Sequence, residues 1–316
     1  MRTKYIDLTT DFGFKKLFGE EPNKDLLLSF LNEVFQGSKH IQEIEYAGNE
    51  ALGAGRDEGA TIFDLLCTGK NGEQFIIEVQ RANQHNFKKR ALFYTSRLIS
   101  NQAPKGSRAE WNYNISEVYL IALLDHFTIS KPKETSYLNE VFLCNRQDGE
   151  LFYPGLGFIF IELPKFHKKE NELQNDLDRW LFVLKNMSRL KKYSVFLQKP
   201  IFEKVFDIAT YSNLKKEERM AYDISQKRRW DAHSVKEYAI HEGTLIGIEQ
   251  GIQIGKLEGK REGKLEGKLE GKLEGKMEEK RNIAQSLLLK GVNINVISDA
   301  TGLSVDEIKE LNNQFK

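Results

Sequence analysis

Apolar residues at 27, 28, 31, 34 and 35 recur at helical spacing across Lys24 to Phe35, and the stripe stops at Gly37, so the pattern predicts a helix there. Ile41 to Ala47 alternates as a strand. Thr61 to Thr68, Glu73 to Gln80 and Glu117 to Leu124 are denser apolar runs with β-branched or aromatic residues, which also predict strands. Between the third and fourth of these candidates, Phe87, Ala91, Tyr94 and Leu98 mark a helix over His85 to Gln102. The order is αβββαβ. Further strands are expected near Val141 and at Phe158 to Leu163. Helices follow over Leu173 to Met187 and over Tyr193 to Tyr238, the latter broken at Pro200.

Shifts in this pattern divide the chain into an α/β core over 1–165, a Lys- and Glu-rich helical extension over 166–242, a four-residue glycine repeat over 243–279 and a tail over 280–316. In GKLEGKLEGKLEG each residue type forms a helical stripe, with the Lys and Glu stripes nearly opposite. Like charges at i,i+4 repel, and the nine glycines from Gly243 to Gly275 cost about 1 kcal/mol each relative to alanine, so an isolated helix is marginal. The repeat is either a flexible tether or a helix ordered by pairing with a second copy, which would make the protein a homo-oligomer. In the tail, Arg281 to Lys290 reads as an amphipathic helix ending at Gly291. Ser304-x-x-Glu307 is a capping box opening the last helix, a helix-turn-helix-like unit suited to contacting either protein or DNA.

The 316 residues are 40% hydrophobic and 29% charged, an ordinary globular composition that excludes a wholly disordered chain. Lys plus Arg number 47 against 46 Asp plus Glu, so there is no whole-molecule pull toward polyanions and local charge decides. Two cysteines, Cys67 and Cys144, form neither a disulfide framework nor a four-ligand zinc set. Asp7 and Asp11 interrupt the N-terminal stretch where a signal peptide needs an apolar core. No later stretch approaches about 18 uncharged apolar residues, so the expectation is a cytoplasmic protein that does not span a membrane.

Asp64 and Glu78 are ionisable groups inside otherwise apolar strands, where an unpaired charge is expensive to desolvate. Their relation depends on the turn at Lys70-Asn71-Gly72. A two-residue type I′ turn pairs 70 with 73 and sets Asp64 opposite Val79, away from Glu78. A type I turn with Gly72 left-handed as a bulge pairs 69 with 73 and sets Asp64 opposite Glu78, with Gln80 on the same face. The second register makes a cluster of hard oxygens suited to Mg²⁺ or Mn²⁺. The alternative in either register is that both acids are strand-end residues reaching water or bonding to helix caps.

D-x13-E-x-Q on consecutive strands, after an α-β beginning and before a basic helix, resembles the PD-(D/E)XK, restriction-endonuclease-like fold. TDFGFKKLFG (10–19), IFDLLCTGKNGEQFIIEVQ (62–80), FKKRALFYTSRL (87–98), and the glycine repeat with TGLS together resemble the Rpn family of recombination-promoting nucleases and transposase-like proteins. The resemblance implies a metal-dependent DNA endonuclease. Asp64 and Glu78 would bind Mg²⁺, or Mn²⁺, and Gln80 would stand where the motif has its lysine. A lysine can place a charge near the attacking water, whereas Gln can only orient it by hydrogen bonds. Phe63 replaces the motif's proline. Asp11 and Lys15, four apart, look like the family's N-terminal motif, with helix capping by Asp11 the alternative.

From Arg81 to Ala109 there are seven Lys or Arg and no Asp or Glu. Arg90, Tyr94 and Arg97 share a helical face, with His85, Lys88 and Lys89 at its start. The helix therefore either holds DNA phosphates beside the sheet or is simply a solvated face. His85 has no partner triad to make it a catalytic base.

Overall fold

The structure, a computed structural model, describes residues 3–48, 50–51, 61–81, 86–104, 111–131, 133–192 and 197–313. The chain forms two compact units, Met1–Asp231 and Ala232–Lys316. In the first unit α1 (Asp11–Phe18) and α2 (Lys24–Val34) precede β1 (Ile44–Tyr46), the short pair β2 (Glu50–Ala51) and β3 (Thr61–Ile62), β4 (Leu65–Gly69) and β5 (Gln74–Gln80). There follow α3 (Phe87–Asn101), β6 (Val118–Leu124), β7 (Leu138–Cys144), β8 (Leu151–Glu162), α4 (Asp176–Asn186) and α5 (Pro200–Ala209). The long α6 (Lys216–Leu289) begins in the first unit and continues in the second, where α7 (Ile294–Thr301) and α8 (Val305–Asn313) complete the chain.

Six strands form one sheet in the order β1-β4-β5-β6-β8-β7. β5, β6 and β8 are parallel neighbours, while β1, β4 and β7 join antiparallel. β6 lies inside the sheet with helices over both faces, and all seven of its residues are buried, as its unbroken apolar run requires. One face carries α1, α2, α4 and α5, whose Phe14, Phe30, Trp180 and Phe202 join Leu65, Phe75, Ile77 and Ile121 in one core. On the other face α3 inserts Phe87, Ala91 and Leu98 against Leu66, Ile76, Leu120 and Ala122. The expected αβββαβ order is present as α2, β1, β4, β5, α3 and β6.

Three expectations are corrected. The run Thr61 to Thr68 is not one strand, because the chain bends at Asp64; β3 pairs with β2 before the bend, and β4 pairs with β1 and β5 after it. Strand β1 is shorter than the alternating stretch from Ile41, whose N–H and C=O are taken by the Asn32 side chain (2.8 and 2.9 Å) instead of a ladder. Pro200 opens a helix at its first turn, where its missing N–H costs nothing. The helical stretch is broken again at 210–215, where the Thr210 hydroxyl and the Asn213 amide bond back onto the end of α5. The Glu218 carboxylate then accepts from Lys215 N–H at the start of α6.

In the second unit residues 232–279 of α6 are exposed throughout, and the nine repeat glycines have nothing within 4 Å of where a Cβ would lie. The repeat is helical. Ala284, Ile297, Leu303 and Ile308 form a small core in the tail. Gly291 and Gly302 take φ of +73° and +69°, and the Ser304 to Glu307 capping box is formed by reciprocal bonds of 2.8 and 3.2 Å. No helix among the described residues is long and apolar enough to cross a membrane.

Candidate active site

The β4–β5 hairpin takes the bulged register. Thr68 pairs with Gln74 and Leu65 with Ile77, Gly69 N–H donates to Glu73 O (2.8 Å), and Gly72 sits at φ +85°. The Glu73 carboxylate fixes the turn by accepting from the Asn71 backbone N–H (3.0 Å) and side-chain amide (3.2 Å). Counting along this register sets Asp64 across from Glu78.

At that position the backbone ladder gives way to reciprocal side-chain bonds. Val79 N–H donates to Asp64 Oδ2 (2.9 Å), and Asp64 N–H donates to Glu78 Oε1 (3.3 Å). This exchange is the physical reason for the bend in the strand: an aspartate that bonds the opposing backbone replaces the ladder locally. Glu78 and Gln80 are buried at 7% and 8% exposure and share the α3 face of the sheet, while Ile77 belongs to the core on the reverse face and Val79 packs against it.

Burial raises both acids. Glu78 is pushed up to about 7, by desolvation first and then by the charge of Asp64, against the opposing pull of Asp64 N–H, Arg90 and Lys15. Asp64 is also raised by desolvation, with Asp11 adding to the effect and Val79 N–H, Lys15 and Arg90 opposing it. Two carboxylates this close favour the shared presence of a cation. Among the described residues no third His, Cys, Asp or Glu joins them in a ligand cluster. Carboxylate oxygens are hard donors of the kind that divalent cations such as Mg²⁺ accept.

Asp11 and Lys15 reach the site's electrostatic field from α1. Thr10, not Asp11, is the N-cap, its hydroxyl accepting from Gly13 N–H (3.0 Å), and Asp11 instead pairs with Lys15 at 2.7 Å. Lys15 also lines an open cleft of about 850 Å³ beside α1, together with Thr10, Asp11, Arg81 and Arg228. Asp64 and Glu78 are not in the wall of that cleft; Lys15 links the two.

The basic helix α3 divides its residues. Lys88 and Lys89 are exposed, Arg97 lies over the exposed Phe93 ring (5.6 Å), and Tyr94 packs edge-on against Phe63 (5.3 Å). Arg90 turns inward and donates from Nη2 to Gln80 Oε1. His85 lies outside the described residues. Sequence reasoning missed a charged network at the ends of β5 and β6. Arg81 donates to Asp125 (2.9 Å) and Asp7 (3.4 Å), Arg229 of α6 to Asp7 (2.5 Å), and Thr9 to Asp125 (2.9 Å). Its available signal was a charged residue directly after each apolar strand, Arg81 and Asp125.

Residues 8–239 match the family profile described as PD-(D/E)XK nuclease family transposase, and residues 277–313 match that of the Rpn/YhgA-like nuclease family, C-terminal HTH domain. No curated protein and no solved structure matches the chain.

Proposed function

Since the chain belongs to the PD-(D/E)XK nuclease family of transposases, carrying the C-terminal HTH domain of the Rpn nucleases, we propose that it is a cytoplasmic endonuclease that hydrolyses DNA phosphodiester bonds with a divalent cation. The observation that carries this reading is the half-buried Asp64 opposite the buried Glu78, two carboxylates of raised pKa. They would hold Mg²⁺, with Mn²⁺ as the alternative. When bound, the cation supplies charge stabilisation at the phosphate and acidifies a water. Gln80 orients the attacking water by hydrogen bonding, and Asp11 and Lys15 support the site from α1. Lys88, Lys89 and Arg97 offer a basic face for the sugar-phosphate backbone, while Arg90 and Tyr94 turn toward Gln80 and Phe63. Pairing of two copies through the glycine repeat would bring two such sites to one duplex.

The test is nicking of supercoiled plasmid by wild type, Asp64→Ala and Glu78→Ala with Mg²⁺, Mn²⁺, Ca²⁺ or EDTA. Nicked product is expected from wild type in Mg²⁺ and Mn²⁺ and from neither variant; equal nicking by all three proteins contradicts the assignment. Gln80 in the lysine's place favours a second reading, a protein that binds DNA or a partner without cutting. It predicts retarded plasmid and no product under every condition.

A further inference from the structure

Helix α3 covers its face of the sheet unevenly. Its Phe87, Ala91 and Leu98 pack on Leu66, Ile76, Leu120 and Ala122 of β4, β5 and β6, whereas Val141 of the edge strand β7 is left 47% exposed. Between the helix and that edge lies a pocket of about 410 Å³. Ala91 and Leu92 of α3 line one side, and Val141 lines the other with Phe158 and Phe160 of β8, whose rings lie nearly parallel at 9°. A third side is the segment at Ile129 and Ser130, which is pinned from within the fold. Both of its backbone N–H groups donate to the fully buried Glu162 (2.8 Å each), and the Ser130 hydroxyl donates to Glu162 and accepts from Lys165. The pocket is therefore pre-formed, mostly apolar and within the size range of small-molecule sites.

One polar group in its wall is not provided for. Asn139 stands opposite Phe160 in the β7–β8 ladder and so shares its face. Among the described residues its Nδ2 is a buried donor with no hydrogen-bond partner. An unpaired buried donor is costly, and the fold gains nothing from keeping it. Since no bond has to be broken, the amide can turn about its broad last torsion to meet an acceptor inside the pocket. Lys88 and Glu134, both exposed, border the same pocket with opposite charges, which favours a neutral occupant over an anion or a cation.

We propose that this pocket binds an uncharged aromatic molecule with one acceptor oxygen. Its ring system lies against Leu92, Phe158 and Phe160, and its oxygen accepts from Asn139 Nδ2. Asp64 and Glu78 play no part in it, so the proposal stands independently of the nuclease reading.

The probe is prodan, a neutral naphthyl ketone whose emission responds to hydrogen bonding at its carbonyl, compared with the analogue carrying propyl in place of propionyl. Full-length wild type, Asn139→Leu and Val141→Trp are each titrated into both. Asn139→Leu should bind the ketone about fivefold more weakly and the propyl analogue no more weakly than wild type. It should also melt no lower, because apolar surface replaces an unpaired donor. Val141→Trp, at a half-exposed strand position, narrows the pocket and should weaken both probes. A wild type that binds neither probe, an Asn139→Leu protein that keeps its ketone affinity, loses both probes equally or melts lower, or a Val141→Trp protein that binds both as wild type does would each overturn the proposal.

Discussion

Two pairs of buried acids in the same sheet unit are treated in opposite ways. Glu162 and Asp178 are fully buried. Glu162 accepts from the N–H groups of Ile129 and Ser130 (both 2.8 Å) and the Ser130 hydroxyl (2.5 Å), with the Lys165 ammonium at 3.0 Å. Asp178 is bound by Lys168 (2.8 Å), Gln174 N–H (2.9 Å) and the Tyr137 hydroxyl (3.0 Å). Burial pushes each upward, but these donors prevail and hold both below the usual carboxylate range. Asp64 and Glu78 are also largely buried, yet their pKa values end up raised. Carboxylates that only hold the fold together are satisfied by the protein itself. Asp64, at the bend before β4, and Glu78 of β5 are raised instead, which supports the proposed cation site.

The comparison breaks first at cleavage. Asp64→Ala and Glu78→Ala should each cut the nicking rate by about 1,000-fold or more, since the cation's several kcal/mol of transition-state stabilisation is lost. Melting temperatures should change little, because relief of a charge that burial disfavours offsets the loss of a backbone donor's partner. Asp178→Ala or Lys168→Met should instead cost about 3 kcal/mol of stability by breaking a buried pair, read by denaturant unfolding. Stability loss at Asp64 matching that at Asp178 would erase the distinction.

A smaller effect lies in pH. A depressed acid such as Asp178 contributes stability above its ordinary pKa, which is lost as pH falls through the folded value. Glu78 has the opposite sign. Its folded pKa is near 7 against an ordinary 4.5, so in metal-free protein its penalty is absent below about 4.5 and grows as pH rises to about 7. Glu78→Gln should therefore gain stability over wild type across that window, on the order of 3 kcal/mol, and Mg²⁺ should close the gap. A gain that is constant with pH contradicts the assignment.

The smallest effect concerns the glycine repeat, whose charges are also uncompensated: among the described residues from 232 to 279, none forms an ion pair within the chain. These charges lie in water, where pairing contributes about 1 kcal/mol or less each. Deleting Gly251 to Gly275 should lower the mass measured by light scattering to that of one chain, and salt should weaken the association of the intact protein. An unchanged mass leaves the repeat without a pairing role. Gly267→Ala should raise helix stability by about 1 kcal/mol in the absence of a partner and weaken association if copies approach along the glycines.

Local pattern made much of this legible. Periods of two and 3.6 residues located the core strands and α2 and α3. Gly72 was consistent with two turns, and the choice between them rests on the Glu73 carboxylate that binds Asn71, a side-chain contact no period encodes. The bend at Asp64 was hidden for the same reason: its strand reads as continuous until the side chain takes Val79 N–H. Arg90, Tyr94 and Arg97 were grouped by helical spacing, which gives a face and not a depth. Only the packing of α3 on the sheet brings Arg90 to Gln80 while leaving Lys88 and Lys89 exposed. The bond from Arg229 to Asp7 joins residues more than two hundred positions apart, beyond the reach of local pattern.

The central claim is that Asp64 and Glu78 are left under-compensated for a divalent cation. Calorimetric titration of Mn²⁺ into metal-free wild type and Glu78→Gln at pH 8, above the raised value of Glu78, tests it directly. One ion per chain should bind wild type, and Glu78→Gln should bind at least about tenfold more weakly. Equal affinity for the two proteins, or no binding to wild type, would contradict the account.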